Sequence, residues 1–406
     1  MNRRFQVTAV LTLFALVLLL FSILGHSEPE GLRSFSVIGL FEPKGKGMKE
    51  VATEIAQLPE QEPFNVWGLD FSPDGKYLAT SSPANHEIHI WDWQNRRIVR
   101  TLEKVRHGFA SGSASEPIRY SPDGRLLAVC HGRAQGNVVI RIWNTDTGAI
   151  VRDIDTSEDN GACEAIGFTP DGKSFVWISY RPTQNQLMVY STATWQPVWG
   201  LRTVPFYPST LAISSNGKLI AVGGSTGGPN IADQHQILIV DVAQRALVRT
   251  IQAYPTIKGG DGEIERLAWN PDSVHIAASA RVTGTYAGPD TWPDAIRVFD
   301  ARSGEKVTGE PAEYARVWAL RYTPDGKYLI ASGFKAGTKI SSGRRHELLR
   351  IDPEPRAWKL AIRIWDGEHR QLLQEIPGEA GSAAVTRDGR YLALGGDGMI
   401  FILELK

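Results

Sequence analysis

The stretch LDFSPDGKYLATSS, beginning at Leu69, decides the architecture. An alternating apolar segment runs into Ser72-Pro73-Asp74-Gly75, and a second apolar run leaves it. Asp bonds its own backbone in such a turn and Gly supplies positive φ, so the phrase reads as a β-hairpin. It recurs as IRYSPDGRLLAVC from Ile118, IGFTPDGKSFVWIS from Ile166 and LAISSNGKLIAVGG from Leu211. Three further copies are LAWNPDSVHIAASA from Leu267, LRYTPDGKYLIASG from Leu320 and AAVTRDGRYLALGG from Ala383. The turn positions Asp74, Asp123, Asp171, Asn216, Asp272, Asp325 and Asp388 are 49, 48, 45, 56, 53 and 63 residues apart. A period of this size marks a propeller or a solenoid.

A second pair of strands fits between successive turns. Its first member reads IHIWDW from Ile88, VIRIWN from Val139, LMVYST from Leu187 and ILIVDV from Ile237. The later copies are AIRVFD from Ala295, AIRIWD from Ala361 and MIFILE from Met399. The fourth strand is legible as RIVRTL from Arg97, AIVRDI from Ala149, ALVRTI from Ala246 and QLLQEI from Gln371. Four antiparallel strands per unit, seven units and no helical periodicity between them predict an all-β, seven-bladed β-propeller. The seventh copy lacks a fourth strand. The segment KEVATEIAQL at 49–58 is expected to supply it and to close the ring without an open sheet edge.

These phrases resemble the WD-repeat β-propellers over about 49–406. Tryptophan–aspartate is intact at Trp91-Asp92 and Trp365-Asp366, and relaxed at Trp143-Asn144, Val240-Asp241 and Phe299-Asp300. It is lost at Tyr190-Ser191 and Leu403-Glu404, and the repeats lack their usual opening Gly-His. Without that His the family's buried Asp-His-Ser-Trp network does not carry over. The resemblance therefore implies a divergent, exported member of bacterial type. It implies the fold more firmly than any activity, because many functions sit on this fold.

The N-terminus sets the expected compartment. Arg3 and Arg4 precede VTAVLTLFALVLLLFSIL at 7–24, a run of 18 uncharged residues. That length approaches the ~20 residues of a membrane-spanning helix and exceeds a signal-peptide apolar region. No Ala-x-Ala site follows, so the run is expected to be an uncleaved signal anchor. Residues 1–6 would be cytoplasmic by the positive-inside rule, 25–48 a tether and 49–406 a propeller in the periplasm or outside the cell. With 44 basic and 44 acidic residues the chain is no general nucleic-acid binder.

Loop length is unevenly shared between the two faces. In a meander blade a–b–c–d, the a–b and c–d turns lie on one face and the b–c and d–a loops on the other. The a–b turns here are uniform, whereas GSTGGPNIADQHQ (224–236), RVTGTYAGPDTWPDA (281–295) and the long 333–361 segment fall on the other face. The segments 103–117 and 252–263 join them, so the b–c/d–a face is the expected binding face. Its candidate contact residues are His107, His131, His235, Arg344, Arg345, His346 and Arg350.

No HxH or HExxH pair fixes a metal, and no P-loop, dinucleotide glycine pattern, c-haem motif or nucleophile elbow occurs, so no cofactor is expected. Cys130 and Cys163 fall at the loop-side ends of strands in neighbouring blades and are a candidate disulfide; two separate buried thiols are the alternative. The function expected is a membrane-tethered, non-enzymatic scaffold that holds a protein partner. A propeller enzyme or cofactor-binding subunit of the lactone-hydrolase or quinoprotein-dehydrogenase kind is the second class. Its convergent residues would leave no linear motif.

Overall fold

The computed structural model describes residues 50–59, 66, 68–81, 87–102, 118–132, 138–155, 162–180, 186–203, 205–228 and 231–257. Towards the C-terminus it describes 263–281, 296–308, 314–335, 360–368, 371–378, 380–396 and 399–406. The strand β1 (Ala52–Pro59) comes first in the chain. Blade one pairs β2 (Gly68–Phe71), β3 (Tyr77–Ser81), β4 (Ile88–Asp92) and β5 (Arg97–Leu102). Blade two is β6 (Ile118–Tyr120), β7 (Leu126–Gly132), β8 (Val138–Asn144) and β9 (Ile150–Asp155). Blade three is β10 (Ala162–Phe168), β11 (Ser174–Tyr180), β12 (Gln186–Ser191) and β13 (Pro197–Arg202). Blade four is β14 (Phe206–Ile213), β15 (Leu219–Gly228), β16 (Ile231–Asp241) and β17 (Ala246–Ile257). Blade five is β18 (Glu263–Trp269), β19 (His275–Arg281), β20 (Ile296–Asp300) and β21 (Lys306–Thr308). Blade six is β22 (Tyr314–Tyr322), β23 (Tyr328–Lys335), β24 (Leu360–Asp366) and β25 (Leu372–Pro377). Blade seven joins β26 (Ser382–Val385), β27 (Tyr391–Gly395) and β28 (Met399–Leu405) to β1.

The seven-bladed, all-β architecture is the one the repeats predict. The innermost strands touch in order, β2 to β6, β10, β14, β18, β22 and β26, and β26 touches β2 again. The ring is closed. Segments 1–49, which hold the expected anchor and tether, lie outside the described residues. Among the described residues no helix is long and apolar enough to cross a membrane.

The turn chemistry explains why the hairpins form where they do. The Ser72 hydroxyl donates to Asp74 Oδ1 at 2.6 Å, the same oxygen accepts the Lys76 amide at 3.1 Å, and the Tyr77 amide donates to Ser72 Oγ at 2.9 Å. Ser121/Asp123, Thr169/Asp171, Ser214/Asn216, Thr323/Asp325 and Thr386/Asp388 repeat the box. In Asp171 and Asp388 the threonine hydroxyl and then the backbone amide hold the carboxyl below its usual range. Blade five departs: Asn270 takes the hydroxyl position, and Ser273 adopts the left-handed φ of 57° where the others have Gly. The turns also pack on one another around the axis. A Cβ on Gly124, whose φ is 76°, would lie 3.2 Å from Pro73 Cδ of the preceding blade.

The apolar core lies between blades. One cluster joins Ile88, Ile90 and Leu102 of blade one to Ile118, Leu127, Val129 and Trp143 of blade two. Each blade is thus covered on both faces, which accounts for continuous apolar runs such as LIAV and ILIV. Each outermost strand carries a β-bulge at one shared register. The extra residues are Val99, Val151, Val198, Val248, Val307, Leu373 and, in β1, Ile55. Six of them are 39–47% exposed, from Ile55 to Val198 and Val307. A bulge twists an edge strand away from edge-to-edge pairing, so the rim tolerates aliphatic side chains without becoming a template for aggregation. By this register β1 behaves as a fourth strand.

Gln374 of blade six fastens the start of β1. Its Oε1 accepts the amides of Val51 and Ala52, both at 2.7 Å, and its Nε2 donates to Ala52 O at 3.0 Å. Gln374→Ala strips a buried acceptor from two amides and is expected to destabilise the protein by about 2–3 kcal/mol, read as a lower urea midpoint at constant slope.

Candidate functional site

The loop-side ends of the inner strands hold a set of polar and aromatic side chains placed by a shared bulge. In four successive blades the inner strand bulges at the residue seven positions before the turn Asp or Asn. These residues are Glu164, Ser209, Glu265 and Trp318. A bulge re-aims its side chain and frees backbone groups, and here the freed groups are bonded from blade to blade. Ser209 Oγ donates to the carbonyls of Gly223, at 3.1 Å, and of Ile264 in the next blade. Arg266 Nε donates to Trp318 O at 2.5 Å, and Arg266 Nη1 to Glu265 O at 2.6 Å. Glu265 Oε1 pairs with Arg316 Nε of blade six at 2.9 Å.

The result is a mixed-charge arc with an aromatic beside it, already cross-braced. Glu164, Ser209 and Glu265 are buried, so they brace the loop-side end from within, and Arg316 and Trp318, which stay partly exposed, are of the residue types that dominate interface energies. Ser209 points its hydroxyl at two carbonyls, a structural use. Among the described residues no group of three or more His, Cys, Asp or Glu side chains is placed to hold a metal ion.

Of the expected contact residues, His107, Arg344, Arg345, His346 and Arg350 lie outside the described residues. His131 is in β7, paired with Val139, and its side chain is likewise outside them. His235 is a correction. The Gly- and Pro-containing stretch 224–236 reads as an open loop, yet β15 and β16 continue as one long hairpin with Gly228 opposite Ile231. His235 therefore sits inside β16, opposite Ser225 and Tyr254, and is 1% exposed. Its ring meets Tyr254 edge-on at 6.5 Å. Tyr254 in turn donates to Ala278 O at 2.8 Å and lies under the Arg297 guanidinium at 4.5 Å. The histidine braces the blade and is no surface ligand.

The two cysteines meet across the second and third blades. Cys130 lies in β7 and Cys163 in β10, and their Sγ atoms are joined with the Cα atoms 6.2 Å apart. Both are buried in one apolar cluster with Ile140, Ile166 and Trp177.

With this geometry in place, similarity to known proteins narrows the reading. Residues 53–92 match the family described as "WD domain, G-beta repeat". The match and the seven blades support a WD-repeat propeller. The chain is 38% identical over 112 residues to the WD repeat-containing protein 26 homolog of Drosophila melanogaster, covering 27% of this chain and 17% of that protein. It is 24% identical over 260 residues to Protein HIR1 of Gibberella zeae, covering 57% and 24%. It is 25% identical over 217 residues to SEC12-like protein 1 of Arabidopsis thaliana, covering 53% and 50%. The chain spans half or less of the length of these relatives. All three are eukaryotic, and they lend no support to a bacterial-type or exported character.

Burial pushes the His235 imidazole below its ordinary pKa. Above about pH 6.5 it is neutral in both folded and unfolded chains; below that the unfolded chain takes up the proton first, so stability falls as pH drops. Urea midpoints are expected to decrease between pH 7.5 and 5.5, and His235→Gln is expected to flatten that dependence.

Proposed function

We propose that the protein is a membrane-tethered, extracytoplasmic scaffold that holds a protein partner on the b–c/d–a face of its propeller. The observation that carries the scaffold reading is the partly exposed pair Arg316 and Trp318, held at the loop-side end by the buried bulges of the inner strands, in a chain with a WD-repeat match. WD-repeat propellers generally bind protein partners and generally work without catalysis. The uneven loop lengths favour the same face, since the turn face is held to one short pattern.

Two features support the membrane and compartment parts of the reading. The 18-residue uncharged run at 7–24 behind Arg3 and Arg4 has the length and flanks of an anchor. The Cys130–Cys163 crosslink suits an oxidising compartment. The full-length protein is expected to sediment with membranes and to show no free thiol when denatured without reductant. A chain lacking residues 1–24 should lose the membrane association. Two titratable thiols in protein taken directly from cells would remove the extracytoplasmic assignment.

The scaffold itself is tested by in-cell crosslinking of the tagged full chain followed by mass spectrometry. A stoichiometric protein crosslinked through 224–236, 281–295 or 333–361 is expected. Trp318→Ala or Arg316→Ala should reduce its capture by at least about tenfold, the scale of an interface hot spot, without altering the urea midpoint enough to unfold the protein. Capture through the turn face alone, unchanged in both variants, would overturn the assignment of the face.

A further inference from the structure

Among the described residues, four blade junctions repeat one side-chain contact near the loop side. In each, the residue seven places after the turn Asp or Asn meets the residue eight places before the next turn Asp. In blade six Ser332 Oγ donates to Ala380 O, which leads into blade seven, at 2.7 Å. A Cβ on Gly223 of blade four would lie 2.6 Å from Ile264 Cγ2 of blade five. One on Gly395 of blade seven would lie 2.8 Å from Cβ of Val66, just ahead of blade one. The fourth copy of the contact is Cys130 of blade two with Cys163 of blade three, and there the tie is covalent. The chain has two cysteines, so this is the one junction of the ring that a disulfide can bridge.

The bridge is not what closes the ring. Closure rests on β1 and β28 in blade seven, whereas Cys130 and Cys163 tie blade two to blade three. The other copies hold the same contact with a hydroxyl or with aliphatic packing, so a junction without a bridge is compatible with the fold. Backbone pairing beside Cys163 is also short. β10 opens with two paired positions, Ala162 with Tyr180 and Cys163 with Ser179, before the bulge at Glu164 shifts the register. Ladder pairs beyond a bulge at a strand end open in local fluctuations that cost less than global unfolding. Both cysteines are 1% exposed, so a reductant reaches their sulfurs through such an opening.

We propose that the Cys130–Cys163 bridge is a redox-sensitive latch, which a dithiol of the thioredoxin class opens in the folded protein and whose release loosens only the loop-side junction of blades two and three. A thiolate of the dithiol attacks one Sγ, and the other cysteine leaves as a thiolate that takes up a proton. The second thiolate of the dithiol then displaces the first cysteine, which is protonated in turn. The protein gains two electrons and two protons, and the dithiol becomes a disulfide. The cluster around the bridge, with Ile140, Ile166 and Trp177, suits two thiols, which behave as small apolar groups. Glu164, next to Cys163, belongs to the row of bulged residues on the face assigned above to a protein partner, so opening the latch alters that face. That consequence rests on the proposed use of the face; the latch itself does not.

Hydrogen exchange of the purified full chain, read by mass spectrometry before and after dithiothreitol at neutral pH, tests the latch. The bridge is expected to be intact at the start and to be reduced without denaturant. Amides of 128–132 and 162–166 should then exchange at least about tenfold faster, while those of 52–59 and 399–405 stay unchanged. Cys130→Ser combined with Cys163→Ala places the residues of the blade six–seven contact at this junction, and is expected to give one exchange pattern with or without the dithiol. Free thiols before treatment, or a bridge that resists reduction until urea unfolds the chain, would overturn the proposal. So would unchanged exchange at the junction after reduction. Faster exchange around the whole ring, 52–59 and 399–405 included, would make the bridge a general staple and overturn the latch as well. A response of the double variant equal to that of the wild type would do the same, since that chain has no disulfide.

Discussion

The pairing of β1 with β28 is the constraint on which the rest of the molecule depends. It joins Ala52–Pro59 to Met399–Leu405, residues from opposite ends of the propeller sequence, and converts a row of blades into a ring. Loop-closure entropy opposes such a contact, so it must be repaid locally. Seven paired positions, a burial of Leu58 and Ile402 to 0% exposure, and the Gln374 side chain on the backbone of Val51 and Ala52 repay it. Once the ring is closed, each blade is covered on both faces.

The two faces of the ring answer to different physics. On the turn side the hydroxyl–Asp–Gly boxes pack against one another, Pro on Gly. The c–d turns on the same side use the second residue of the tryptophan–aspartate position as their cap: Asp300 Oδ1, after Phe299, accepts the Arg302 and Ser303 amides, and Asn144 Oδ1, after Trp143, those of Asp146 and Thr147. Either Asp or Asn accepts such bonds equally well, which is why the tryptophan–aspartate signature relaxes to Trp143-Asn144 without loss of the blade. On the loop side the inner strands bulge, and side chains rather than turn boxes tie blade to blade. Room for recognition exists there because no repeated turn has to be preserved.

Much of the fold was legible because its determinants are local. The seven turns, the alternation around them and the third strands lie within short windows, and the period repeats them. The outer strands of blades three and five were harder: Pro197–Arg202 begins on proline, and Lys306–Thr308 is three residues long, so neither displays a clear alternation. His235 was misplaced because glycine and proline near a hairpin tip look like a loop, whereas the added length of β15 and β16 is satisfied by cross-strand bonds. Glu164, Ser209 and Glu265 carry a common offset from the turn, but an inner-strand bulge is a property of pairing and has no residue signature of its own.

The sequence by itself determined the number of blades, the place of each hairpin, the uneven loop lengths of the two faces and the apolar run at 7–24, since these follow from spacing, turn chemistry and hydropathy within a few dozen residues. Only the tertiary structure decided which residues from different blades share a site. Ring closure sets distances between positions hundreds of residues apart, and backbone register decides whether a side chain faces the axis, a neighbouring blade or water. That is why Cys130 meets Cys163 and why His235 is sealed inside a blade.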